Sequence, residues 1–355
     1  MSSIMGDKIK VSVFGQSHSE AIGCVIDGLP AGIKPDMENI LKFMARRAPG
    51  NSNLSTSRKE ADLPRIISGI VNGVTCGAPL CAVIENTNTR SQDYENLKLL
   101  PRPSHSDYPY YIKTNGTNDI RGGGHSSGRL TAPICFAGAI AIQILKDHGI
   151  NIMSHIYSIH NQKDTAFDLV NLCDCNPSEK SFPVISNDAG EKMKKIIEAA
   201  TKNKNSVGGI IECAVTGVPT GTGNPMFGGI ENKLSANIFG IPAVKGIEFG
   251  RGFSLTEMFG SESNDDFYID KNDEIKTVTN NQGGILGGMA SGMPIVFRVA
   301  VKPTPSIGLE QQTVNIKTRK PEKLIIEGRH DPCIVLRAVP VVEAVTALTM
   351  LDMIM

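Results

Sequence analysis

The sequence predicts a layered α+β fold on three observations. Strand-like stretches come in pairs interrupted by helices, not in regular βαβ repetition. Residues 130–148 form one long stretch that is apolar on nearly every side, and a helix with no polar face belongs in a buried layer. Finally, 40% of the residues are apolar and 20% charged, the balance of a globular chain that can bury a sizeable core.

Residues 8–14 (KIKVSVF) alternate in polarity and predict a strand. Residues 36–48 (DMENILKFMARRA) carry apolar side chains near helical spacing, begin after Pro35 and stop before Pro49-Gly50. Two strands, at 65–71 and 80–84, are predicted to join through a glycine-rich turn. The apolar helix over 130–148 has Pro133 in its first turn and Gly149 as its stop. Strands at 150–159 and 209–215 flank an amphipathic helix at 191–201, and a further helix is predicted over 225–239. Residues 294–301 (PIVFRVAV) alternate again, and an apolar helix over 339–355 follows. There is no internal repeat and no Ser/Pro-rich linker, so one domain over residues 1–355 is expected.

Lys and Arg balance Asp and Glu, for a formal net charge of zero. A general nucleic-acid binder needs a basic surplus to displace counterions from phosphates, so no nucleic-acid partner is expected. The eight cysteines are scattered, several in apolar runs such as PICFAGA, and no zinc spacing accompanies Cys173-Asp-Cys175. No metal is expected. MSSIMGDKIK lacks the apolar core of a secretory leader, and no uninterrupted apolar run reaches ~18 residues. A cytoplasmic protein with no membrane partner is the expectation.

Glycines cluster at 121–128, 207–209, 220–223, 246–252 and 283–292, between the predicted elements. Loops on a rigid scaffold are where sites are built, and glycine serves where a ligand nears the backbone. Of the seven histidines, His148, His155 and His160 read as structural. His18, His105, His125 and His330 each sit in a short loop of small or charged residues, and imidazole suits proton transfer near neutral pH. Arg46, Arg47, Arg102, Arg121, Arg129, Arg329 and Arg337 fall near these loops. In a chain of zero net charge they imply a local basic pocket for a small polyanion. RGGGHSSGR (121–129) precedes a helix, so its amides can face an anion, but its spacing fits neither a P-loop nor a dinucleotide fingerprint. No GxSxG elbow is present. The residues by themselves describe an enzyme-like site for a phosphorylated anion, with histidine as acid or base.

Along almost its whole length the sequence resembles the chorismate synthase family. The matching stretches include FGQSHSEAIGCVIDGLPAG, RRAPG, NTNTRSQDY, RPSHSDYPY, RGGGHSSGR, IPAVKGIEFGRGF, NNQGGILGGMASG, KPTPSI and GRHDPCIVLRAVPVVEA. The resemblance implies a lyase of the shikimate pathway of aromatic amino acid biosynthesis. It removes phosphate from 5-enolpyruvylshikimate 3-phosphate by anti 1,4-elimination, giving chorismate, with reduced FMN (FMNH2) as cofactor and no net redox change. It also implies a β-α-β sandwich, with helices packed between two antiparallel sheets, and a homotetramer.

Carried over by motif, His18 and His105 look like the proton-handling histidines, and Asp331 like the partner of the flavin N5 in taking the substrate proton. His18 would keep the flavin in its protonation state and His105 would assist the departing phosphate. Arg47, Arg102, Ser127, Arg129 and Arg329 resemble the substrate clamp. Flavin contacts are expected at His125, Ser126, Ser127, Pro242, Ala243 and Gly287. Lys302, Pro303, Thr304, Pro305, Ser306 and Arg329 complete that set, with Lys302 suited to an anionic part of the cofactor.

The chain departs from the family pattern at Gln16 and Ser19 (GQSHS for the family's GESHG), at Ala48 and Asn53 where arginines are common, and at His125 where the family has RGGGRSS. Losing those positive charges weakens anion binding, and Arg58 is the candidate to replace them in part. Two suppliers of reduced flavin stay open: NADPH acting at the enzyme, or a separate flavin reductase. The competing class is a flavin-binding or electron-transfer protein without elimination activity, which needs none of His18, His105 and Asp331.

Overall fold

The computed structural model describes residues 3–50, 54, 60–87, 97–172, 176–326 and 331–355. Two five-stranded antiparallel sheets enclose a helical layer. The first sheet runs in the order Ile4–Met5, Lys10–Gly15, Ala21–Asp27, Leu80–Glu85, Arg65–Ser68. In the second the order is Val244–Phe249, Ile295–Val301, Gly209–Thr216, Asn151–Ile159, Gln162–Lys163.

The helices are α1 (Met37–Arg47), α2 (Asp107–Lys113), α3 (Thr131–Asp147), α4 (Asn187–Lys202), α5 (Ile230–Ile238), the single turn α6 (Gly260–Ser263) and α7 (Val335–Ile354). α3 packs on the first sheet, α7 on the second, and the two pack on each other. Gly138 makes that contact close, since a Cβ there would lie 2.3 Å from the Cβ of Ala344. The stretch Gly128–Asp147 is long and apolar enough to cross a bilayer, but most of it is buried inside the protein, as expected of a core helix. The expected sandwich is therefore the observed fold.

Most predicted elements are present, with shifted ends. α1 begins where the Asp36 carboxylate accepts from the Asn39 N–H (3.1 Å). α4 starts at Asn187, earlier than the predicted 191, because Ser186 caps it. α5 is shorter than 225–239, since Met226 takes φ 58° and Gly228-Gly229 delay the helix. α7 begins at Val335 and runs through Pro340, placing Arg337 in its first turn. Among the elements with no sequence prediction are the strands Ala21–Asp27 and Val244–Phe249, and α2.

The described cysteines are free thiols, and burial pushes those of Cys135 and Cys333 up to about 12. Cys173 and Cys175 lie outside the described residues. No group of three or more metal-ligating side chains is found among the described residues.

Candidate active site

A cavity of about 1020 Å³ opens where the first sheet, the N-terminus of α3, the start of α7 and the segment 236–245, from the end of α5 into the strand Val244–Phe249, meet. Its floor is the glycine loop. Gly122, Gly123 and Gly124 take φ values of 60°, 86° and 56°, a left-handed run that side chains resist. Space forbids side chains as well. A Cβ on Gly122 would lie 2.4 Å from Ser17 Oγ and 3.2 Å from His18 Nε2, and one on Gly123 would lie 3.3 Å from His105 Cε1. The bare backbone thus threads between the two histidines. Its exit is ordered by Ser127 Oγ, which accepts from the Arg129 N–H (3.3 Å) as the chain turns into α3.

His105 is oriented by its neighbours. Its Nδ1 lies 2.7 Å from Asp107 Oδ1, while Arg102 grips the same carboxylate through Nε (2.7 Å) and Nη2 (2.8 Å). Burial pushes the Asp107 carboxyl up, but bonds and charge from Arg102 and His105 outweigh it and hold the group well below the usual carboxylate range. Arg102 also reaches Ser306 Oγ (3.2 Å), tying this loop to residues 302–306.

Lys302 Nζ donates to the Ser104 carbonyl (2.5 Å), and its backbone N–H donates to the Ala243 carbonyl (3.0 Å). Burial, then the charge of Lys245 on the same wall, draw the Lys302 ammonium below its usual range. Ala243 is held at φ 72°, a strained conformation for a residue with a Cβ.

Three further arginines line the cavity, Arg47, Arg129 and Arg337. Arg47 donates to Asp62 Oδ2 (2.6 Å), Thr131 Oγ1 (3.0 Å) and the Gly128 carbonyl (2.9 Å). Arg129 is bonded to Asp62, to Glu60 (2.7 Å) and to Asn86 Oδ1 (2.9 Å). Arg337 spans the Arg47 carbonyl and Asp331 Oδ2, both at 2.9 Å. Burial lowers the proton affinity of Arg129 and Arg337, and the nearby Arg47 charge adds to this. Asp62 would be pushed up by burial, but Arg47 and Arg129 hold it low.

The cavity gathers His18, His105 and Asp331, the clamp residues Arg47, Arg102, Ser127 and Arg129, and the flavin candidates His125, Ser126, Pro242, Ala243, Lys302, Thr304, Pro305 and Ser306. Pro303 and Gly287 are not in its lining; Gly287 sits in the turn between the short strands Ile285–Leu286 and Met289–Ala290. Arg329, His330, Asn53 and Arg58 lie outside the described residues. His125 touches the cavity but spends both nitrogens on the chain: Nδ1 meets the Gly15 carbonyl (2.7 Å) and Nε2 the Ser3 hydroxyl (2.6 Å).

Sequence reasoning missed Asp107, Asp62, Glu60 and Lys245. The His-x-Asp spacing of residues 105–107 was the available signal for the first. Arg337 was noticed as one basic residue among several, but had no assigned role. Apolar residues complete the cavity, with Ile134, Ile241, Ala338, Val341 and Val345 on one side. Thr304 Oγ1 is buried and has no hydrogen-bond partner among the described residues. A planar apolar ring with a polar edge and an anionic tail fits this lining.

A family model described as chorismate synthase matches residues 9–355. A chorismate synthase of Lancefieldella parvula is 45% identical over 366 residues, covering 99% of this chain and 96% of that protein. One from Pyrococcus abyssi is 45% identical over 347 residues, covering 98% and 96%. Another, from Methanocaldococcus jannaschii, is 44% identical over 360 residues, covering 98% and 95%. A crystal structure of chorismate synthase matches with a TM-score of 0.76 at 25% identity, over 98% of this chain and 92% of that one.

Proposed function

The chain belongs to the chorismate synthase family, and from that premise we propose that it converts 5-enolpyruvylshikimate 3-phosphate to chorismate and phosphate with reduced FMN bound. One observation carries the reading: two histidines flanking a bare glycine loop share a single cavity with Arg47, Arg102, Arg129 and Arg337. The substrate brings one phosphate and two carboxylates, which match that density of guanidinium groups.

In the elimination one C–H and one C–O bond break and a C=C bond forms. The C–O pair leaves with phosphate and the proton is taken up in the site. His105 is assigned to the departing phosphate, beside Arg102. His18, on the other side of the glycine loop, and Asp331, beside Arg337, are assigned to the polar edge of the flavin. Pro242, Ala243 and the apolar side chains of α3 and α7 would hold its ring. Lys302, Thr304 and Ser306 would hold its anionic tail. When bound, the reduced flavin supplies an electron-rich partner for cleavage of the allylic C–O bond.

Residues 1–355 are read as one domain, supported by a core cluster that joins both sheets through α3 and α7. A homotetramer is proposed, and the exposed Phe227 (84%), Phe253 (81%) and Phe259 (77%) support burial of this surface against other copies. A cytoplasmic location agrees with the free thiols. NADPH enters only as a reductant of the flavin, with a separate reductase as the alternative source. NADPH-driven turnover equal to photoreduced turnover would identify the first.

The deciding experiment is anaerobic. Purified protein with photoreduced FMN and the enolpyruvyl substrate should release phosphate and chorismate in equal amounts. No turnover under these conditions overturns the proposal.

A further inference from the structure

We propose that Asp107 is a positioning residue that locks His105 in the Nδ1–H tautomer, so that Nε2 is the atom exchanging protons with the ligand in the cavity. The inference deepens the reading of His105 as the acid beside the leaving phosphate and rests on it. Four donors surround the Asp107 carboxylate. Oδ1 faces His105 Nδ1 (2.7 Å) and Arg102 Nη2 (2.8 Å), and Oδ2 faces Arg102 Nε (2.7 Å) and the Arg102 backbone N–H (3.0 Å). A carboxylate has about four lone-pair sites, so this one is saturated. It is also buried, with its side chain 8% exposed, so water does not compete for those sites.

The tautomer follows from these partners. Arg102 Nη2 also lies 3.2 Å from His105 Nδ1, and an arginine can only donate. If Nδ1 were bare, it would accept from Arg102 and face the ionised Asp107 oxygen at 2.7 Å, lone pair against lone pair. With a proton on Nδ1 the shorter contact becomes a charge-assisted hydrogen bond, and Arg102 keeps its two bonds to the carboxylate. Nε2 is then the nitrogen left for the cavity. It lies on the side of Gly123, where a Cβ would come within 3.4 Å of it.

Because Asp107 is saturated and held ionised by Arg102, it keeps the Nδ1 proton in place and does not take it. The role is that of an orienting carboxylate behind a catalytic imidazole. The same carboxylate joins the imidazole to Arg102, a substrate-clamp candidate, so acid and clamp keep a fixed relation.

The test begins without a variant. In the full chain labelled with ¹⁵N-histidine, His105 should show a protonated Nδ1 and a bare Nε2 when neutral; an Nε2–H tautomer in the folded wild-type protein overturns the proposal. This reading needs no substrate, so its failure is distinguishable from absence of lyase turnover. In Asp107→Asn, the tautomer should mix and kcat should fall by about 10²-fold or more, with a much smaller change in KM. Asp107→Glu should recover part of the loss. A folded Asp107→Asn protein with an unchanged tautomer and a kcat within about threefold of wild type overturns the proposal, since general acid–base help is worth about 10²–10⁴.

Discussion

His105 and His155 show how the same ingredients serve opposite ends. Each imidazole meets a carboxylate within 3.0 Å, and each carboxylate set is also held by an arginine. His155 lies in the second sheet on a cross-strand rung with Glu212, Arg298 and Glu248 in register. Its Nδ1 contacts Asp164 (3.0 Å) and its Nε2 contacts Glu212 (2.9 Å), while the Phe167 ring covers it edge-on at 4.6 Å. Its side chain is 0% exposed, against 17% for His105. His155 has a complete set of partners and His105 has one nitrogen turned to a cavity. An unfinished hydrogen-bond set, not the presence of a carboxylate, separates the histidine proposed for chemistry from the structural one.

The largest effect should come from removing the open imidazole. His105→Ala is expected to lower turnover by about 10²–10⁴-fold. Flavin binding and urea resistance should stay near wild type. Loss of the folded protein instead would make His105 a structural residue like His155 and dissolve the contrast.

His155→Leu should do the reverse. It strips Asp164 and Glu212 of the imidazole that bonds both, and breaking such a buried set costs about 3–5 kcal/mol. Urea unfolding measures the loss, and kcat of the remaining folded protein should be unchanged. A large fall in kcat at undiminished stability would show that the second sheet reaches the chemistry.

A smaller effect is pH-dependent. Burial alone would lower the proton affinity of His155, but hydrogen bonds and charge from Asp164 and Glu212 win and raise it. A proton held more tightly in the folded state stabilises the fold fully below the unfolded value, about 6.5, and that contribution is lost as pH rises through the folded value. The urea midpoint should therefore decline on the alkaline side of about pH 6.5. His155→Leu should remove that component of the decline, and an unchanged pH profile in the variant would show that His155 is neutral in the fold.

The contrast between the two histidines was only half legible in the sequence. Local composition separated the loop histidine from the strand histidine, because RPSHSDYPY is polar and SHIYSI alternates. Their partners come from elsewhere: Glu212 is brought to His155 by strand register, and no periodicity specifies that pairing. The fold was readable where burial is one-sided, as in α1, and lost where glycine masks it. Ala21–Asp27 drew no strand prediction and contains Gly23, yet a Cβ there would lie 2.4 Å from the Phe14 ring, so the glycine marks close packing inside a sheet. α2 was hidden by Pro109, which is harmless in a first turn. The cavity's arginines were visible as types, but their carboxylate partners Asp62 and Glu60 were not, since acids are as common as bases in this chain.

His125 is the third case, and it sharpens the comparison with the smallest expected effect. It stands where the family has arginine and lines the cavity, which by sequence suggests a contact to the cofactor whose strength follows pH. In the fold it resembles His155 more than His105, because both nitrogens are engaged, by Gly15 and by Ser3. No nitrogen is left to follow the ligand's charge. FMN affinity, measured by fluorescence quenching between pH 6 and 8, should therefore vary by less than about threefold, well under the tenfold that 1.4 kcal/mol would give. A tenfold fall that disappears in His125→Arg would mean that the ring releases Ser3 and turns to the ligand, and the rule drawn from His105 and His155 would then fail inside the cavity itself.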